Sequence, residues 1–281
     1  MTESSRKPDW LKSRLKGTGR FAETKNIVAS HGLHTICSSG KCPNKSECWS
    51  RGTASFLIGG NICTRACKFC HTPTGRPMPL DPEEPQQVAE SIRLMGLKHA
   101  VITSVDRDDL PDLGARHWAK TIRAVKQANP HITLETLIPD FQGQPQLLDI
   151  VIDASPEIIS HNMETVRRIT PHVRSSASYE VSLSVLKHIA GRKVKTKTGL
   201  MVGLGETTRE VYQLMDDVLQ AGASILTIGQ YLQPSGRHIP VAEYIPPSLF
   251  DLYKEVAARK GFRCVESAPL VRSSYYAEKH I

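Results

Sequence analysis

Beyond residue 53 the chain alternates short apolar runs with longer amphipathic stretches. The runs 54–58, 100–105, 132–137, 157–160, 197–202 and 225–228 have the length and composition of buried strands. Helical periodicity fills the gaps between them. It is clearest where Val211, Leu214, Met215, Val218 and Leu219 recur at helical spacing and present one apolar stripe to a sheet. Strands alternating with helices imply parallel pairing through right-handed crossovers, so six such units predict an α/β fold, an incomplete TIM-like (β/α)6 barrel. Chemistry on such folds gathers at the C-terminal ends of the strands. Residues 1 to about 36 are polar and basic. They carry a predicted helix over 21–28 and read as an extension rather than core.

A length of 281 residues admits one large domain or two modest ones. A hydrophobic share of 40% with 23% charged residues is ordinary for a soluble enzyme, and no apolar run reaches the length of a membrane span. The stretch 1–10 has no apolar signal core, which predicts a cytoplasmic setting and reduced cysteines. The formal charge of +8 favours an acidic partner. With no long single-sign run and no aromatic–basic motif, nucleic acid receives no support.

Six of the seven cysteines crowd between positions 37 and 70. Metal ligation explains that clustering better than a disulfide framework. Cys264 stands alone, and burial as a small apolar side chain is expected of it. Cys63, Cys67 and Cys70 are spaced to converge on one centre from a short loop. Three thiolates leave a four-iron cluster one ligand short, and the open iron can bind a small molecule. Zinc is the rival, but it prefers four protein ligands and pairs separated by two residues. Cys37, Cys42 and Cys48 form a second triplet with glycine and proline between them, which suits a loop folded tightly round a cluster. Six cysteines exceed the needs of one site, so two clusters are expected.

The spacing C-x-x-x-C-x-x-C, with Phe69 before the last cysteine, resembles the radical S-adenosylmethionine (radical SAM) signature. The resemblance implies SAM chelated to the open iron and cleaved to a 5′-deoxyadenosyl radical. The second triplet upstream, together with Arg272-Ser273-Ser274-Tyr275, resembles the lipoyl synthase family. That resemblance implies an auxiliary [4Fe–4S] cluster on Cys37, Cys42 and Cys48 with a serine as fourth ligand. Ser274 is the match, and Ser273 remains open because adjacent serines are alike in type. It further implies two [4Fe–4S] clusters, SAM as cofactor, and sulfur insertion at carbons six and eight of a protein-bound octanoyl group. The implied partners are octanoylated lipoyl carrier domains of 2-oxoacid dehydrogenase complexes or the glycine cleavage H protein, and an electron donor such as ferredoxin or flavodoxin. The expected division is an N-terminal extension with the auxiliary cysteines (1–52), a radical SAM partial barrel (53–260) and a C-terminal extension (261–281). The two extensions are expected to cover the auxiliary cluster.

Strand ends supply the remaining candidates. Ser104 and Asp106, after the second predicted strand, are assigned to SAM contact by the resemblance, with a surface loop capped by aspartates as the alternative. Glu135 sits inside an apolar strand and needs a partner, either a ribose hydroxyl of SAM or a buried arginine. Asn162 follows the fourth strand as a polar contact or a helix cap. Gly203 and Gly205 permit close backbone approach near SAM. The stretch 230–234 is expected at the barrel mouth, and His71 lies beside the cysteine loop. Two rivals stand. A transfer-RNA methylthiotransferase also combines two clusters with a basic surface but normally carries a nucleic-acid module. A non-catalytic cluster carrier is too small a task for a barrel-length body.

Overall fold

Eight strands make one sheet in the linear order β1 to β8. They are β1 (His34–Thr35), β2 (Ser55–Ile58), β3 (His99–Ser104), β4 (Thr133–Leu137), β5 (Ile158–Ser160), β6 (Lys195–Val202), β7 (Ile225–Gln230) and β8 (Cys264–Ser267). The computed structural model describes residues 7–12 and 19–280. The expectations for residues 1–6 and 13–18, part of the N-terminal extension, lie outside the described residues. β1 runs antiparallel to β2, and each later neighbour is added in parallel. The order ends at β8 without closure among the described residues, so this is an open, partial barrel.

The helices are α1 (Gly19–Ser30), α2 (Ile36–Ser39), α3 (Lys45–Ser50), α4 (Glu84–Leu94), α5 (Ala115–Ala128), α6 (Pro145–Ile152), α7 (Thr170–Val173), α8 (Tyr179–Gly191), α9 (Thr208–Gln220) and α10 (Pro247–Lys260). α9 starts where Thr207 and Glu210 cap each other's backbone N–H groups. It buries Val211, Leu214, Met215 and Val218, as their spacing requires, with Leu219 half-buried beside them. α10 stops at Gly261, whose φ of 108° takes the left-handed turn that ends a helix.

All six predicted strands are present, and two more were not anticipated. β1 is only two residues long and carries no periodic signal. β8 alternates half-exposed and buried positions, which turns Val265 inward and Cys264 outward. Cys264 is therefore half-exposed rather than buried. The region read as an extension also contributes to the core, because Val28 and Leu33 pack in one cluster with Trp49, Phe56 and Val88.

After β8 the chain turns back as a strap over 268–280 that crosses the inner face of the sheet. Two glycines admit it. A Cβ on Gly229 would lie 2.1 Å from the Val271 carbonyl oxygen, and one on Gly199 would lie 2.5 Å from Thr227 Oγ1 and 3.4 Å from Ser273 Oγ. The strap is tied to the sheet where Gln230 N–H donates to the Pro269 carbonyl at 3.1 Å. Asn44 Nδ2, from the second cysteine segment, donates to the Leu270 carbonyl at 2.7 Å.

Candidate active site

The 63–70 loop follows β2 and is closed by its own backbone. Cys63 N–H donates to the Pro73 carbonyl at 2.8 Å and Gly75 N–H to the Cys63 carbonyl at 3.0 Å. The N–H groups of Arg65 and Asp106 both point at Cys63 Sγ, at 3.4 Å each. Such donors favour a thiolate, yet burial and then the neighbouring Asp106 push the Cys63 thiol up to about 12. Burial also raises Cys67. These sulfurs ionise readily only when a positive centre joins them.

Arg65 sits at the middle of the loop, 5% exposed. Its Nε and Nη2 donate to both oxygens of Asp108 at 2.7 and 2.9 Å, and Nη1 and Nη2 to both oxygens of Asp140 at 2.9 and 2.8 Å. Asp106 lies 3.3 Å from Nη1. One guanidinium thus ties the cysteine loop to the ends of β3 and β4. Next to the loop, His71 stacks on His238 and donates from Nδ1 to the Ser39 carbonyl at 3.1 Å, so it joins the two cysteine segments.

The second triplet is more helical than a tight loop. Cys37 lies in α2 and Cys48 in α3, with Cys42 N–H bonded to the Cys37 carbonyl at 3.1 Å between them. Gly40 is required there, since a Cβ would meet the Ile36 carbonyl oxygen at 2.9 Å. Burial, then the two neighbouring cysteines, drives the Cys48 thiol up to about 12. Among the described residues no three His, Cys, Asp or Glu side chains converge as ligands of a single ion do.

Two adjoining cavities collect these groups. The larger, about 320 Å³, is lined by Cys63, Cys67 and Cys70 on one side and by Cys37 and Cys42 on another. The smaller, about 40 Å³, is lined by Cys37, Cys42 and Cys48. Arg272 and Ser274 line both, whereas Ser273 lines only the larger. Ser55 Oγ donates to Ser274 Oγ at 2.7 Å, and Asn162 Nδ2 donates to Ser273 Oγ at 2.8 Å. Burial pulls the Arg272 guanidinium below its usual value, and the Cys42 thiol opposes that shift. A cation held beside cysteines suits an anionic metal–thiolate group.

Of the residues read as SAM contacts, Ser104, Asp106 and Asn162 line the larger cavity. Asn162 Oδ1 is buried there without a hydrogen-bond partner among the described residues, an acceptor left for a ligand. Glu135 does not line it. Its carboxylate is fully buried and taken by Lys197 Nζ at 2.6 and 2.9 Å, so the ribose reading gives way to an ion pair, with lysine in place of arginine. Gln230 is likewise buried, its amide bonding the Tyr231 and Glu243 carbonyls and Ile245 N–H, instead of lining the mouth. Gly203 is a glycine for packing, because a Cβ would meet Gln230 Nε2 at 2.1 Å. The cavity also gathers Asp140, His161, Glu164 and Arg174, to which the sequence reading gave no role. Glu164, two residues after Asn162, was within reach of the strand-end rule. Arg174 lies beyond a short helix and carried no signal.

The radical SAM superfamily profile matches residues 57–218. Lipoyl synthase of Parabacteroides distasonis is 70% identical over 281 residues, covering 100% of both chains. The Bacteroides thetaiotaomicron enzyme is 65% identical over 100% of both. That of Treponema denticola is 57% identical over 100% of this chain and 97% of its own. Among solved structures, Streptococcus suis SuiB bound to S-adenosylmethionine superposes with a TM-score of 0.61 at 11% identity, covering 81% of this chain and 55% of that one. Methylornithine synthase gives 0.55 at 10% identity over 89% and 84%. At those identities the two structures speak for the fold alone.

Proposed function

The chain belongs to the lipoyl synthase family of radical SAM enzymes, and from that premise we propose that it inserts two sulfur atoms at carbons six and eight of a protein-bound octanoyl group. The observation that carries this reading is the pair of cysteine triplets opening on adjoining cavities, with Arg272 and Ser274 lining both. Cys63, Cys67 and Cys70 hold the cluster that takes SAM; Cys37, Cys42 and Cys48 hold the auxiliary cluster, with Ser274 as its fourth ligand. Bound there, the first cluster and SAM supply a 5′-deoxyadenosyl radical, and the auxiliary cluster supplies the sulfur.

The side chains bind and orient. Asn162 offers its free carbonyl oxygen to SAM, Asp106 its carboxylate, and Ser104 a hydroxyl that already accepts from Trp118 Nε1 at 3.1 Å. Arg174, whose Nη1 donates to Ser182 Oγ at 2.7 Å, supplies a cation to the same cavity for the carboxylate of SAM. Unactivated carbon–hydrogen bonds yield to no side-chain base, so the protein's task is to hold the target carbon close and exclude competing reactions. Ser274 enters through the strap, from Ser55 on one side and the second triplet on the other. An oxygen ligand is weaker than a thiolate, which suits a cluster that must be opened to release its sulfur.

Anaerobic reconstitution with iron counting tests this reading. Two four-iron clusters give about eight irons per chain, and one gives about four. Ser274→Ala is expected to keep SAM cleavage and to lose at least tenfold in completed dithiolane; undiminished product would remove Ser274 from the scheme. The proposed partners are an octanoylated lipoyl carrier domain and a low-potential donor of the ferredoxin or flavodoxin class. A formal charge of +8 suits an acidic carrier surface. Turnover of the octanoylated carrier should slow several-fold as salt rises, and a rate indifferent to salt would exclude electrostatic docking.

A further inference from the structure

His99 opens β3 with its side chain turned into the barrel, where it lines the smaller cavity beside Cys37, Cys42, Cys48 and Ser274. The side chain is 5% exposed, and neither ring nitrogen has a hydrogen-bond partner among the described residues. The nearest charged group is Glu135, whose Oε2 stands 3.9 Å from Nε2, beyond hydrogen-bond reach and already engaged by Lys197. Burial first, then the Lys197 charge, lowers His99 to about 4, so the ring is neutral and carries one N–H and one bare nitrogen. A buried polar group without a partner carries an uncompensated desolvation cost, which marks an imidazole set against three cysteines as one that serves something in the cavity. Sulfurs of an iron–sulfur cluster accept hydrogen bonds, and such bonds set its reduction potential.

We propose that His99 is a positioning residue of the auxiliary cluster, donating its imidazole N–H to a cluster sulfur. The proposal rests on the two-cluster reading above. A donated hydrogen bond would favour the more negative, reduced cluster and so raise its potential. The bland alternative, an aromatic ring filling space at the base of the barrel, predicts no effect of the N–H on the cluster.

The test uses the full chain reconstituted anaerobically, with redox titration of both centres by electron paramagnetic resonance, and the variants His99→Phe and His99→Gln. Phenylalanine fills the space without a donor, and glutamine restores an N–H. The expected result is a lower midpoint for one centre in His99→Phe, recovery toward the native value in His99→Gln, and an unchanged second centre. Wild-type protein made with isotopically labelled histidine provides a check that needs no variant to fold. Weak nitrogen coupling to one cluster supports the hydrogen bond, whereas no coupling overturns it. Coupling strong enough for direct ligation, or identical midpoints in wild type and His99→Phe, also overturns it. If the wild type holds about four irons, the two-cluster reading fails at the count and takes this proposal with it.

Discussion

Lys197→Met is expected to destabilise the protein by about 3–5 kcal/mol, because it strands a carboxylate in the barrel interior. Lys197 and Glu135 are both fully buried and face each other across the sheet, one from β6 and one from β4. Burial pushes the Glu135 carboxyl up while the ammonium pulls it down. Without the lysine, Glu135 must either ionise unpaired or take up a proton. The double variant Glu135→Gln/Lys197→Met removes both charges and should recover most of the loss. Lys197 also donates to the Ser273 carbonyl at 2.6 Å, which fastens the strap one residue before Ser274. That anchor is absent from the double variant too. Urea unfolding of the reconstituted proteins should therefore show stability restored in the double variant while the auxiliary cluster is still lost from both. A single variant as stable as wild type would show that the pair does not hold the barrel.

Under the two-cluster proposal, Arg65→Met is expected to remove the SAM-binding cluster and to leave the auxiliary one, lowering iron from about eight to about four per chain. The guanidinium is the common cation of Asp106, Asp108 and Asp140, two of them held through paired hydrogen bonds. Its removal leaves three carboxylates near one another and breaks the loop's paired bonds to Asp140 beyond β4, so that only the Thr64 and Cys63 bonds to the 106–108 stretch still hold it to the end of β3. Arg65→Lys should fail nearly as badly, since an ammonium cannot present the planar fork that engages two carboxylates at once. SAM cleavage, read as released 5′-deoxyadenosine, should fall below detection in the methionine variant. Full iron and undiminished cleavage would mean that the loop keeps its shape without this arginine.

The two predictions concern residues that were read with unequal success. The cysteine triplets were legible as groups because their clustering is written in local spacing: Cys63, Cys67 and Cys70 lie within eight positions of one another and line one cavity. Ser104, Asp106 and Asn162 were found by the rule that chemistry sits beyond strand ends, and all three line the cavity. Glu135 was rightly singled out as a carboxylate in need of a partner, but its partner lies 62 residues away in sequence. No periodicity names a residue at that distance. Arg65 lay inside the quoted motif with no role, since its three aspartates come from two other loops. His99 stood one position before a predicted strand, where nothing local marks a ring turned inward without a partner.

The amino-acid order alone pointed to six of the eight strands and to the helical stretches between them, to the grouping of six thiols into two triplets, and to resemblance to one family. Hydrophobic periodicity and ligand spacing act over a handful of residues, so they survive without a structure. Only the folded chain places Ser274, and not Ser273, on the cavity that all three cysteines of the second triplet line. Ser273 and Ser274 are alike in type, but they sit at successive positions of a turn closed by Tyr275 N–H on the Arg272 carbonyl, and the strap's path is set by Gly199, Gly229 and Lys197. The same convergence of distant segments gave Glu135 to Lys197 and placed Arg272 between the two cavities. Those outcomes depend on long-range packing, which brings together residues whose separation along the chain says nothing about their separation in space.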